Sequence, residues 1–90
     1  MTREQILAII PDIVAALRDE ETSAKLAQAE GMQLMELIMN TYAAVLQSHG
    51  LNPMEGMQAL QQAPKTFADD PEVIAAIKSA EAEVAAARGR

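Results

Sequence analysis

The chain has 90 residues, half of them hydrophobic, and 13 acidic residues outnumber seven Lys and Arg to give a formal net charge of −6. A chain of this length predicts a single domain, residues 1–90. Without cysteine it cannot form a disulfide or a cysteine-based zinc site, and its acidic balance opposes binding to nucleic acid and to anionic membranes, which both need a basic surface.

The first predicted element is an amphipathic helix that ends near Arg18. Thr2 and Gln5 have the spacing of a capping box. Behind them, apolar residues recur with the helical period, at Ile6, Ile10, Ile13, Val14 and Leu17. Pro11 lies inside this pattern. Because Ile10 would be a poor N-cap for a separate helix, we expect one helix that is kinked at Pro11.

A second helix, the longest, is predicted from Ser23 to Ser48 after a polar connection. Apolar side chains cover more than half of its circumference, which indicates a central helix or one that faces both its own core and a partner. Gly31 lies on the apolar stripe and marks either a close approach of another helix or a break. His49 and Gly50 end the helix, because Gly accepts the left-handed conformation common after a helix.

The third predicted helix begins with the clearest local signal in the chain. Asn52 is a good N-cap, Pro53 suits the first helical position, and Glu55 closes the capping box. This helix is expected to stop before Pro64. Residues 65–69 then form a connection.

The last predicted helix begins at Asp70-Pro71 by the same capping logic and ends at Gly89. Its apolar residues again have the helical period, at Val73, Ile77, Ala80, Val84 and Ala87. We expect its final turn, Val84–Arg88, to fray. No alternation of period two predicts a strand. The predicted fold is therefore an all-α, single-domain helical bundle of about four helices with a long central second helix.

No targeting or membrane-spanning segment is predicted. Pro11 and Asp12 interrupt the early apolar run, so it is too short for a signal peptide. The uncharged stretch from Leu37 to Met54 contains Asn, Gln, His, Gly and Pro residues, and is too polar to span a bilayer. We expect a cytoplasmic protein, for which the lack of cysteine is suitable.

Residues that could carry chemistry are few. His49 is the single histidine, and Ser48 lies about 100° away from it around the helix, so the two do not face each other as base and nucleophile. Asp69, Asp70 and Glu72 lack the spacing of a calcium loop and are explained by helix capping. We therefore predict no catalytic residue, no metal site and no cofactor. An enzyme or small-ligand binder that uses His49 is kept as an alternative.

The methionines carry the main functional hypothesis. Met fills irregular core gaps or lines adaptable binding surfaces. Between Gly31 and Pro64 only Glu36 and Glu55 are charged, which indicates a core or an interface. We predict a non-enzymatic protein–protein interaction module, a small helical subunit or adaptor, that binds a protein partner or a second copy of itself. The predicted contact residues are Met32, Met35, Met39, Tyr42, Leu46, Met54 and Met57, and the predicted polar rim is Gln33, Asn40 and Gln47.

Several short motifs, taken together, carry a family resemblance. They are Glu4-Gln5, Ala29-Glu30, the pair Met32 and Met35, Gly50-Leu51, Glu55-Gly56 and Asp70-Pro71-Glu72-Val73. With these motifs the whole chain resembles the small eukaryotic "C-ten" family of helical proteins. The family tends to have Tyr-Gly-Phe at His49-Gly50-Leu51 and a longer segment before Met32. The resemblance implies an intracellular all-α protein without known enzyme activity or established site residues.

A second resemblance concerns the second half alone. Asn52-Pro53-Met54 and Asp70-Pro71-Glu72 each start a predicted helix. This is similar to the helical Asp-Pro modules of Hop/Sti-type co-chaperones and ubiquilins, in which Asn-Pro or Asp-Pro starts several short Met- and Leu-rich helices. The long preceding helix departs from it. This resemblance implies, as an alternative function, a chaperone-like module that cups hydrophobic segments.

Overall fold

The computed structural model describes residues 1–89, and five α-helices account for most of them. The helices are α1 Arg3–Arg18, α2 Glu20–Gln28, α3 Met32–Ser48, α4 Pro53–Thr66 and α5 Pro71–Arg88. No strand occurs within these residues. The predicted all-α fold is confirmed, whereas the helices number five rather than about four.

The predicted long second helix is in fact two helices. α2 ends at Gln28, Ala29 adopts an extended backbone, and Gly31 has a φ of +59°. Because residues other than glycine rarely adopt this φ, Gly31 allows the turn that separates α2 from α3. A Cβ added at Gly31 would meet no atom within 4 Å. Of the two predicted roles, Gly31 therefore marks a break and not a close approach.

Two prolines lie within helices. α1 continues through Pro11, as the prediction of a single helix expected. α4 continues through Pro64 to Thr66, so the prediction that it ends before Pro64 was wrong. Pro64 falls in the last turn of α4. Because proline has no N–H, it removes one backbone hydrogen bond there, and little of the helix follows that could be disrupted. The neighbouring Ala63 is fully buried, and its carbonyl accepts a hydrogen bond from the Phe67 N–H at 2.8 Å, which closes that turn.

The predicted starts of α1, α4 and α5 are confirmed by side-chain caps, whereas α2 begins at Glu20 and not at the predicted Ser23, because Asp19 is its N-cap. Thr2 and Gln5 form the capping box of α1. Asn52 accepts a hydrogen bond from the Glu55 N–H at 3.1 Å at the start of α4. At the start of α5, Asp70 accepts from two backbone N–H groups. Each cap satisfies amide groups that have no partner within the helix itself.

The end of α3 is a left-handed glycine cap, as predicted. Gly50 has a φ of +75° and donates its N–H to the Gln47 carbonyl, at 2.9 Å. The Leu51 N–H donates to the Leu46 carbonyl at 3.0 Å. This pair of hydrogen bonds is the Schellman motif, which satisfies two carbonyls of the last turn.

α1, and not the predicted second helix, is central to the fold. It packs most extensively against α5 and also contacts α3 and α2. Five of its apolar side chains are buried, namely Ile6, Ile9, Ile10, Ile13 and Leu17. α3 contributes only Val45 and Leu46 to the buried core, because α4 and α1 cover one side of α3 and leave much of the other exposed.

Around this core, charged side chains form an ion pair and hydrogen bonds between residues that are far apart in the sequence. Arg18 Nε lies 3.1 Å from Glu83 Oε2, and Glu83 is buried although it is acidic. Arg88 donates hydrogen bonds to the carbonyls of Leu26 and Ala29, and so satisfies the end of α2 from the end of α5. These hydrogen bonds connect the final turn of α5, which is helical to Arg88, to the end of α2.

Candidate functional site

An apolar groove of about 230 Å³ lies between α3, α4 and α5. One wall is formed by four residues of α3, namely Met35, Ile38, Met39 and Tyr42. Their i, i+3, i+4, i+7 spacing places them on one stripe of the helix. The other walls and the floor come from Met57, Leu60 and Gln61 of α4, from Ile77, Ala80 and Glu81 of α5, and from Ile10 of α1.

The groove exists because of how the helices are arranged. α4 packs on both α3 and α5, and α1 contacts both α3 and α5, but α3 and α5 do not pack extensively on each other. The gap between them opens at the surface. Its floor is formed by the buried side chains of Ile10, Leu60 and Ala80. The small side chain of Ala80 leaves room that a larger residue would fill.

Four of the seven predicted contact residues line this groove. Met35 and Met39 remain 61% and 47% exposed, and Tyr42 and Met57 are half-buried. The spacing of these residues was visible in the sequence. The sequence did not show that these residues lie opposite α5, because tertiary packing brings Ile77 and Glu81 to the groove.

The other three predicted residues lie elsewhere. Met32 and Met54 are the most exposed methionines, at 80% and 75%, but neither lines the groove. Leu46 is fully buried in the core. It therefore offers no surface for a partner in this structure, although it shares the apolar stripe of α3 with Tyr42.

Leu46 is buried because α4 approaches α3 closely at Gly56. A Cβ built at Gly56 would lie 2.8 Å from Leu46 Cδ2 and 3.0 Å from Cδ1. These distances are shorter than a normal carbon–carbon contact. The close approach that the sequence suggested at Gly31 occurs at Gly56 instead. A small residue on the buried face of α4 was the only signal for it.

The polar groups of the groove also differ from the prediction. The exposed residues Gln33, Asn40 and Gln47 do not line it, and its polar side chains are Gln61, Glu81 and Tyr42.

Glu81 is exposed and makes no hydrogen bond or ion pair with any residue from 1 to 89. Burial, followed by the negative charge of Glu81, raises the pKa of the Tyr42 phenol. Tyr42 therefore stays neutral at physiological pH, and Glu81 is the one charged side chain among the described residues that line the groove.

The residues considered for catalysis or metal binding hold helix ends. His49 Nε2 lies 2.7 Å from Asp12 Oδ2 and links the end of α3 to α1. Ser48 Oγ donates to the Val45 carbonyl at 2.7 Å. Asp70 caps α5 and pairs with Arg3. Within residues 1–89, no three histidine or acidic side chains come together in a way that could hold a metal ion.

None of the helices in this part of the chain combines the length and the apolar character needed to cross a membrane. Comparison with protein-family models, with curated proteins and with solved structures found no match to this chain. The two family resemblances noted from the sequence therefore stay predictions.

Proposed function

We propose that this protein is a non-enzymatic interaction module, an adaptor or small subunit of an intracellular assembly, that binds a protein partner in the groove between α3, α4 and α5. The observation that supports the proposal is the exposure of Met35 and Met39 on the wall of a concave apolar site. Flexible methionine side chains suit a surface that must adapt to a partner. In this proposal Met35, Met39, Tyr42 and Met57 make the apolar contact, and Leu46 belongs to the core.

The exposed methionines give an estimate of what a partner gains. Full burial of a methionine side chain is worth about 1.5–3 kcal/mol. Because Met35 and Met39 still expose about half of their surface, covering both would contribute about 2 kcal/mol of binding free energy. The buried floor adds contacts for any side chain that enters. A partner with two or three bulky apolar residues gains further by burying them here, and these gains act against the several kcal/mol that association costs.

The groove does not have the dimensions of a typical small-molecule site. Sites for drug-sized ligands usually enclose about 300–1,000 Å³ and bury most of the ligand. This groove encloses about 230 Å³ and is open to solvent. That volume suits a few side chains of a protein partner better than a whole cofactor. His49, the residue of the ligand-binding alternative, does not line it.

The proposal is tested with a matched pair of variants. Met35→Asp puts a charge on the groove wall, whereas Met32→Asp puts the same charge on the same helix, at a more exposed position outside the groove. Each tagged protein is used for affinity capture from native extract, and its fold is checked by circular dichroism. We expect Met35→Asp to lose a partner that the unaltered protein and Met32→Asp both retain.

Two results would contradict the proposal. Equal capture by Met35→Asp and Met32→Asp would show that the groove does not hold the partner. A monodisperse protein that captures nothing and binds no hydrophobic dye would remove the interaction module altogether. Capture of many unrelated hydrophobic segments, lost in Met35→Asp, would instead favour the chaperone-like alternative.

A further inference from the structure

The lining of the groove limits the kind of segment that can enter it. An extended segment needs partners for its own N–H and C=O groups, and peptides that bind as strands find them at a sheet edge. Residues 1–89 form no sheet, and the groove offers only three polar side chains, Tyr42, Gln61 and Glu81. A helix satisfies its backbone internally, so only its side chains have to enter an apolar groove.

The length of the groove agrees with a helical occupant. Between Met35 and Tyr42, α3 rises by about 10 Å, which is about two turns. The wall residues of α3 have the i, i+3, i+4, i+7 spacing of a ridge that packs against another helix. A partner helix would therefore present apolar residues at i, i+4 and i+7 over about two turns.

The negative charge around the groove favours a partner helix that carries positive charge. Glu81 is a carboxylate at the groove with no partner among residues 1–89. α3 carries one charged residue, Glu36, and no Lys or Arg. The chain as a whole has a net charge of −6. A cationic partner is attracted to this surface, whereas a second copy would bring another unpaired Glu81 and another excess of negative charge.

These observations rest on the proposed function and extend it. We propose that the groove binds a basic amphipathic helix of the partner, whose apolar side chains enter between Met35, Met39 and Ile77 and whose Lys or Arg pairs with Glu81. The apolar contacts supply most of the affinity. The ion pair fixes the orientation of the helix and rejects acidic helices of the same shape.

The position of binding is tested with synthetic peptides of about 16 residues, a length at which a helix is reasonably stable. The basic peptide has Leu at i, i+4 and i+7 with Lys on both flanks, and it contains no Met, Tyr or Trp. Its twins carry Gln or Glu in place of Lys. Methyl-labelled methionine gives six NMR signals in the protein. We expect the basic peptide to shift the signals of the groove residues Met35, Met39 and Met57, while Met32 and Met54 serve as internal controls.

Affinity is followed by the fluorescence of Tyr42, because the protein has one tyrosine and no tryptophan and Tyr42 lines the groove. We expect the basic peptide to bind more tightly than the neutral one, and the acidic peptide to bind most weakly. Glu81→Gln should lower the preference for the basic over the neutral peptide by about 2–5-fold, the range of an exposed ion pair. Glu81→Lys should reverse the order of the basic and acidic peptides.

Glu30 provides the matched control. It is exposed, lies between α2 and α3, and does not line the groove. Glu30→Gln and Glu30→Lys change the net charge by the same amounts as the Glu81 variants. They should leave the charge preference within a factor of two of the unaltered protein. An equal effect at Glu30 and Glu81 would show that net charge acts and would overturn the role of Glu81.

The remaining outcomes separate this inference from the proposed function. If peptides of all three charges shift the groove methionines with equal affinity, that result overturns the basic partner and leaves the interaction module standing. Absence of any shift at the groove methionines overturns the helical occupant. The proposed function then depends only on whether partner capture is lost in Met35→Asp and kept in Met32→Asp.

Discussion

Replacement of Gly56 by Ala should destabilise the protein, although Ala is the better helix former. The new Cβ would lie 2.8 Å from Leu46 Cδ2 and 3.0 Å from Cδ1, whereas carbon atoms prefer about 3.5–4.0 Å. Leu46 is fully buried, so its side chain has little room to move away. Overpacking of a core costs about 1–3 kcal/mol, and the change from Gly to Ala in a helix returns about 1 kcal/mol. We expect a net loss of about 1 kcal/mol.

The contact with Leu46 can be isolated by a double-mutant cycle. Leu46→Ala removes the three atoms nearest to the new Cβ and alone costs about 2–5 kcal/mol. In that background Gly56→Ala has no clash and should stabilise the protein by about 1 kcal/mol. The coupling between the two changes is then about 2 kcal/mol.

Urea unfolding followed by circular dichroism gives the free energy of unfolding of the unaltered protein, the two single variants and the double variant. If Leu46→Ala does not fold, Leu46→Val takes its place. Gly89→Ala is the control, because its Cβ would meet the nearest atom at an ordinary 3.5 Å; it should be nearly neutral. Additive effects of Gly56→Ala and Leu46→Ala, within about 0.5 kcal/mol, would refute the close approach of α3 and α4.

Three other predictions concern helix ends and buried charge. Gly50→Ala should lower the free energy of unfolding by about 1–2 kcal/mol, because the φ of +75° strains a residue with a Cβ; urea unfolding measures it. Arg18→Met should cost about 1–3 kcal/mol in the same assay, because it removes the ion pair between the Arg18 guanidinium and the buried Glu83. Asp70→Asn should keep the helix cap. Its melting temperature should fall less between neutral and acidic pH than that of the unaltered protein, because the variant lacks the charge that pairs with Arg3.

The acid prediction follows from the direction of one pKa. Burial acts to raise the pKa of the Asp70 carboxyl, but the hydrogen bond and charge of Arg3 and the N–H groups of Val73 and Glu72 outweigh it and lower the pKa below 3.8. A lowered pKa in the folded state stabilises the protein above the ordinary carboxyl value, and this stability is lost as the pH falls through the folded value. Parallel acid profiles for Asp70→Asn and the unaltered protein would contradict this account.

The remaining two changes have their own controls. Gly31 combines a φ of +59° with a ψ of −129°, which lies outside the left-handed helical region, so Gly31→Ala should cost at least as much as Gly50→Ala although the space around its Cβ is open. Adding Glu83→Gln to Arg18→Met should recover part of the lost stability, because a neutral amide is less costly to bury. No recovery would show that the ion pair is not the cause.

The starts of α1, α4 and α5 were predictable because each depends on a few neighbouring residues. Thr2, Asn52 and Asp70 cap their own helices, and their partners lie two or three residues away. The break at Gly31 was ambiguous, because a glycine on an apolar stripe fits both a turn and a close contact. Only the packing of the other helices decides between the two. Pro64 was misjudged for a similar reason, since the burial of Ala63 holds the helical turn around it.

The site was predictable only on one side. Met35 and Met39 lie on an uncharged apolar stripe, and that pattern indicates a surface or a core contact without reference to other helices. Leu46 continues the same stripe but is buried, because Gly56 lets α4 cover it. The opposite wall, with Ile77 and Glu81, comes 42 to 46 residues after Met35 in the sequence, and the whole of α4 lies between them. No spacing in the sequence shows which face of α5 meets α3.

The pairing of α1 with α5 has a consequence for biosynthesis. The most extensive helix contact joins the first helix to the last, so the core depends on contacts between residues far apart in sequence, which slows folding. At about 5–20 residues per second, about 4–14 s pass between synthesis of Arg18 and of Arg88. Throughout that time the isoleucines of α1 have no α5 to cover them. Until α5 leaves the ribosome, α1 is therefore the apolar surface of the nascent chain at which aggregation or chaperone binding is expected.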